Sequence, residues 1–325
     1  MGDPMTRVYR KGVLEAEGFP VADVSECLGQ PDTVVWVDFC GPSKEQLHEL
    51  AGELGLHELA VEDALGPHQR PKLDRYATHL FLSCHAVRVD VERGALDETE
   101  IDAFINERWL ITVRKNEGFS IDPVLERWDR SPDLAVHGVS FLLYGLLDVI
   151  VDSYFEAVQS FDEYYEEVSD GIFADRPLDP AQQRHWFDMR RAMVRFHRLV
   201  VPMREAISSL MRREHAAVAE PLYPYFQDVY DHTLRVTESS DSLRDLVSTI
   251  VETNLSLRDY RQNIIVKKVS SWAAIIAVPA LVTGYYGMNL PYPGSQQTWG
   301  VVASAVLMVG ACLGLYRLFR RIDWL

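Results

Sequence analysis

Tyr286, Gly287, Met288 and Asn289 stand where an apolar stretch of the chain gives way to a turn. Of the last three, only Asn289 has a polar side chain, and it offers a neutral oxygen, not a carboxylate. Such oxygens can accept hydrogen bonds from a cation's water shell without stripping it. A ring of carboxylates would hold the ion too tightly to release it. Gly287 lets backbone carbonyls approach the ion, or closes a helix end tightly. Met288 either packs behind the amides or gates directly, and Asn289 can also be read as a simple helix C-cap. An uncharged turn bearing an amide suits the mouth of a cation pore better than an enzyme site.

That chemistry needs a membrane beneath it. Residues from about 269 to 290 contain no Asp, Glu, Lys or Arg, and neither do residues 299 to 316. Each stretch is about long enough to cross a ~30 Å hydrocarbon core at ~1.5 Å per residue. The ten residues between them, 289–298, are uncharged too, so the chain closes in a helical hairpin. Lys267 and Lys268 precede the first stretch, while Arg317, Arg320 and Arg321 follow the second. Basic residues on these flanks alone place both termini in the cytoplasm and Asn289 outside. Residues 1–29 lack a basic-then-apolar signal pattern, in keeping with a multi-pass protein of the cell membrane.

The formal net charge of −16 hides two unlike parts. From Arg261 onward there are six bases and one acid, Asp323, so the residues before them carry more negative charge than the total. That acidity is either a solvated face or an attraction for divalent cations, and it excludes a nucleic-acid partner. Cys27, Cys40, Cys84 and Cys312 are scattered and read as reduced packing residues. No Gly-x-x-x-x-Gly-Lys-Ser/Thr loop supports nucleotide binding, and no nucleophilic triad or zinc-protease pair is legible. The ten His residues show no ligand spacing.

The pattern predicts a cytoplasmic α+β domain, an α/β sandwich, over residues 1–138. Strands are expected at 34–38, 78–90 and, as a pair turned at Glu107 and Arg108, at 99–106 and 109–114. Ser43, with Gln46 three residues on, predicts a capped helix to Leu54. Helices follow over 139–224, one from 139 to 168 and one from about 180 to 215 through Pro202. A long helix over 225–288 runs into the first span at about 269–288. The loop 289–298, the second span 299–316 and a basic tail 317–325 complete the chain. Val236, Ser240, Leu243, Val247, Ile250, Asn254, Leu257 and Ile264 form a heptad-like seam. It packs either on the chain's own helices or on copies of itself around an axis. Two spans cannot enclose a water-filled channel, so a pore demands several chains. Small residues Ala273, Ala274, Ala277, Ala280 and Gly284, with Gly310 and Gly314 on the second helix, supply close-packing surfaces.

With a short uncharged loop and a final span behind it, the Tyr-Gly-Met-Asn run resembles the signature of the CorA family of magnesium transporters. Residues 57–64 (His-Glu-Leu-Ala-Val-Glu-Asp-Ala) and 69–76 (Gln-Arg-Pro-Lys-Leu-Asp-Arg-Tyr) are similar to a block of that family's cytoplasmic domain. Residues 263–279 resemble the start of its pore helix. The resemblance implies a homopentameric channel with five stalk helices lining the pore and Asn289 side chains ringing the mouth. It implies Mg²⁺ as both transported and regulatory ion, with Co²⁺ or Ni²⁺ as companions. It also implies gating by a stalk-helix carboxylate whose counterpart is Asp228, one turn from Asp231; a solvated helix acid is the alternative. Pore-lining candidates are Asn263, Val266, Ser270 and Gly284, with Val278 near the inner gate. The loop lacks the acid that many relatives carry.

Transport would be passive. A divalent ion falling through ~100 mV gains roughly 4.6 kcal/mol. A Zn²⁺ transporter of the same superfamily is the near alternative, and a membrane-anchored cation sensor the distant one. Few soft ligands lie on the pore helix, which favours Mg²⁺.

Overall fold

The computed structural model describes residues 3–66, 69–172, 180–212, 217–288 and 297–325. Two compact units divide the chain, residues 1–248 and 249–325.

The first unit is built on a seven-stranded sheet. Its strands are β1 (Met5–Arg10), β2 (Val13–Glu17), β3 (Thr33–Cys40), β4 (Lys72–Arg75), β5 (Leu80–Asp90), β6 (Ala95–Ile105) and β7 (Trp109–Arg114), in the order β2-β1-β3-β7-β6-β5-β4. Only β3 and β7 pair in parallel. Alternation along β3 sorts the two faces. Val35, Val37 and Phe39 join a core with Leu47 and Leu50 of α2 (Lys44–Leu54) and Ala60 and Val61 of α3 (Glu58–Leu65). Helix α1 (Val24–Leu28) contributes Val24.

Trp36 on the opposite face meets Trp128 of α4 (Asp122–Arg130) edge-on at 5.0 Å. The Trp128 indole donates to Leu142 O at 3.0 Å. Leu142 lies on α6 (Val139–Ile172), reached through the short α5 (Pro132–Ala135). A Cβ at Gly145 would come within 2.5 Å of the Trp128 indole nitrogen, so only glycine admits this ring. Tyr154 of α6 donates to His85 O at 2.7 Å and ties that helix to β5.

Ser43 caps α2 in a capping box with Gln46, as its spacing predicts. β1, β2, β4, α3 and α4 add elements beyond the strands and helices expected from periodicity. Helix α7 (Pro180–Leu210) runs through Pro202.

Helix α8 (Tyr223–Tyr286) begins in the first unit. There Phe226, Val229, Val236, Ser240, Leu243 and Val247 are buried, and His197 of α7 meets the Ser240 hydroxyl at 3.2 Å. This part of the heptad-like seam is therefore occupied by the chain's own helices.

The second unit holds the rest of α8 and α9 (Thr298–Arg321). Both helices carry an 18-residue stretch apolar enough to cross a membrane, with mean hydropathy 1.6 and 1.9, and both stretches are almost wholly exposed. Ile250, Ser271 and Val282 are the buried positions on this part of α8, with Ile275 and Val278 half-buried on the same face as the last two. Cys312 of α9 donates its thiol proton to Ile275 O at 3.7 Å. That carbonyl is free because Pro279, four residues on, has no N–H to offer it.

Candidate functional site

The predicted mouth begins at the last bonds of α8. Gly287 N donates to Thr283 O at 2.9 Å, and a Cβ at Gly287 would sit 2.9 Å from that same oxygen. The close approach explains glycine here without any appeal to a positive φ. Met288 N donates to Tyr285 O at 3.4 Å and its side chain is half exposed. Asn289, with the loop to residue 296, lies outside the described residues.

Below the mouth, the pore-lining candidates Asn263, Val266, Ser270 and Gly284 fall into one pattern with three of the small residues between them. Asn263, Val266, Ser270, Ala273, Ala277, Ala280 and Gly284 alternate in steps of three and four, and every one is exposed. That spacing keeps them on a single helix face. Nothing lies within 4 Å of a Cβ built at Gly284. Val278 does not belong to this stripe, because it turns toward the half-buried face with Ile275. The small residues of α8 therefore divide: Ser271 packs inward and Ala274 is half-buried, while Ala273, Ala277 and Ala280 face out. Gly310 and Gly314 also have open space where a side chain would be, so they do not make the contact between α8 and α9.

The second constellation lies in the first unit, around Asp228. Its carboxylate stands 3.6 Å from His232 Nε2, one helical turn on. An Asp148 oxygen from α6 joins them, and the three ligand atoms lie within 4.8 Å of one another. Asp148 is buried and ion-paired with Arg127, which also reaches Asp152 at 3.2 Å. Asp228 is 60% exposed and so open to solvent or to a partner. Two carboxylate oxygens and an imidazole can hold a divalent cation that keeps most of its waters. Arg127 lowers the attraction by taking part of the Asp148 charge. Asp231 does not join the group; its carboxylate accepts from Gln227 at 2.9 Å.

Asp148 and His232 were not singled out from the sequence. Asp148 is 80 residues away from Asp228, and no spacing rule connects them. His232 did carry a signal, its i,i+4 relation to Asp228.

The family described as CorA-like Mg²⁺ transporter protein matches residues 31–321. The chain belongs to this CorA family. Similar CorA relatives span almost all of it. The cobalt/magnesium transport protein CorA of Thermotoga maritima is 27% identical over 98% of this chain and 92% of its own. A putative metal ion transporter of Bacillus subtilis, YfjQ, is 29% identical over 92% of each. The complete structure of the CorA magnesium transporter from Methanocaldococcus jannaschii superposes with a TM-score of 0.79. It shares 21% identity and covers 100% of this chain and 99% of that one. The α+β sandwich, the long helix and the two apolar helices are thus the CorA fold.

Proposed function

We propose that this CorA chain is one subunit of a homopentameric channel that passes Mg²⁺, and Co²⁺ beside it, down the membrane potential. The observation that carries the reading is the exposed stripe from Asn263 to Gly284, which ends at Gly287, Met288 and Asn289. Within the span this stripe is Ser, Ala and Gly, which offer lipid tails little apolar surface. Repeated around an axis, it lines a narrow path with Asn amides at one end and aliphatic groups within.

Hydrated Mg²⁺ exchanges its shell reluctantly, so neutral Asn289 amides select it by hydrogen bonding to its waters. The mouth faces outward and both termini lie in the cytoplasm, as the flanking bases direct. Regulation belongs to Asp228. With the ion scarce, the Asp228 carboxylate and its neighbours repel one another. A bound Mg²⁺ neutralises them and holds the closed state. Asp148 and His232 are placed to share that ion, and a mixed oxygen and nitrogen set admits Co²⁺ as well.

Purified protein in liposomes under an imposed potential tests the reading. Mg²⁺ uptake should be lost in Asn289→Ala while the oligomer stays assembled. Undiminished flux through a correctly inserted Asn289→Ala protein would sink the assignment of the mouth.

A further inference from the structure

Five cations gather on α8 and α9 at the end of the helix pair away from Tyr286 and Thr298. Cys312 touches Ile275, which fixes where the two helices stand beside each other. The short connection makes them antiparallel. Counting down from that contact at ~1.5 Å per residue, Lys267 and Lys268 lie about 10–12 Å below it on α8. By the same count Arg317, Arg320 and Arg321 lie about 8–13 Å below it on α9. All five therefore share one level. Lys268 and the three arginines are exposed. Among the described residues none of the five is ion-paired, and Asp323 is the sole acid from Arg261 onward.

The end of α9 keeps them accessible. Ile322 N donates to Leu318 O at 3.1 Å and Trp324 N to Phe319 O at 2.9 Å, so the chain turns back on itself. The Trp324 and Phe319 rings stack at 5.9 Å and 10°. Phe319 and Trp324 thus form an aromatic pair at the end of α9, and Leu313, Tyr316 and Leu318 are exposed along the helix before it. Aromatic rings at this depth belong to the headgroup region, and apolar side chains above them meet acyl chains.

We propose that this basic foot binds the phosphate of an anionic phospholipid. The arginines of α9 and the lysines of α8 hold the headgroup, and the acyl chains run along the exposed face of α9. The site rests on the membrane reading given above. Cations at a helix C-terminus also complement the helix dipole. That role requires only charge near the helix end and gives no preference between lipids.

The test uses the full chain in detergent, delipidated and then offered phosphatidylglycerol and phosphatidylcholine in equal amounts. Retained lipid is counted by mass spectrometry. The wild type should keep phosphatidylglycerol in excess, and each neutralised cation should weaken retention about fivefold. Arg317→Gln, Arg320→Gln and Arg321→Gln together should abolish the preference, while the three Arg→Lys changes should keep it. Lys267→Gln with Lys268→Gln is a second route to the same loss, should the arginine variant not assemble. Equal retention of both lipids by the wild type would overturn the proposal. So would an unchanged preference in both neutralised variants. Displacement by millimolar inorganic phosphate would mark a soluble-anion site and also overturn it. Flotation with vesicles of either lipid separates the outcomes: a chain that does not float contradicts the membrane reading itself.

Discussion

Pro279 and Cys312 make one unit at the scale of single residues. The proline removes the N–H that would have bonded Ile275 O, and the Cys312 thiol takes its place. A lost bond to a carbonyl inside a membrane helix costs about 1 kcal/mol. Cys312→Ala should therefore lower the unfolding midpoint in detergent. In a Pro279→Ala background the helix regains its own bond, and the same change should cost almost nothing. Equal losses in both backgrounds would show that Cys312 only fills space. This pairing is invisible in the sequence. The two residues belong to different helices, and their meeting depends on how the hairpin is staggered. Pro279 on its own reads as the first interruption after a long helical run. Asp228 and His232 differ, because their spacing within one helix was legible and only Asp148 needed the fold to bring it in.

Glu100 and Asp102 set the behaviour of a whole element. Both are buried on β6, and both face the Lys115 ammonium, at 3.4 and 3.3 Å. Lys115 gives its protons to the carbonyls of Asp63, Ala64 and Gly66 and so holds the C-terminal end of α3 to the sheet. Gln69 N donates to Glu100 at 3.1 Å, and His85 Nε2 lies 4.0 Å from the same carboxylate. Two carboxylates against one ammonium leave an excess of negative charge in a dry place. Burial first, and then Glu100, against the pull of Lys115, push the Asp102 carboxyl up to about 7. The folded state thus binds a proton that the unfolded chain releases near pH 4, so this group's contribution falls as pH rises from about 4 to 7. Burial and His57 lower His79 to about 4, and that contribution instead rises over about pH 4 to 6.5. The two offset each other in the wild type. Asp102→Asn removes one of them, so its midpoint relative to wild type should climb between about pH 4 and 7 and level off above. A difference independent of pH would mean that Asp102 does not hold the proton. The element reading shows the same physics in another form. β3, α2, β5 and the β6–β7 pair announce themselves through alternation or a cap. β1 does not, because buried Arg7 breaks its apolar run and is matched by Asp129 at 2.9 Å and Glu17 at 3.3 Å. β2 and β4 are the sheet edges, β2 exposed throughout and β4 a half-buried run of three charged residues around Leu73, so neither shows a buried apolar face.

For the whole molecule, α8 and α9 leave a broad apolar surface exposed, which suits contact with lipid, and the proposed pentamer would cover part of it. Val266, Leu281, Val301 and Val306 are each more than half exposed, and a single hairpin cannot cover them. The proposed pentamer should appear in native mass spectrometry near five times 37.1 kDa. A fully active dimer would refute it. Regulation supplies the sharper test, because the Asp148, Asp228 and His232 group belongs to a unit outside the spans. On the proposed reading, an ion held there protects the cytoplasmic part of the assembly from protease. Asp228→Lys places a fixed cation beside Asp148 and removes a ligand. It should move the Mg²⁺ midpoint for protection upward by about tenfold, within the usual range of coupling between sites. Asp231→Lys makes the same charge change one turn away, where the carboxylate serves only Gln227, and should leave the midpoint in place. His232→Ala should shift the Co²⁺ midpoint more than the Mg²⁺ midpoint, because an imidazole nitrogen suits the softer ion better. A shared shift in both lysine variants would reduce the effect to bulk charge. No shift in either would remove Asp228 from sensing while leaving the stripe on α8 and the Asn289 mouth to stand on their own test.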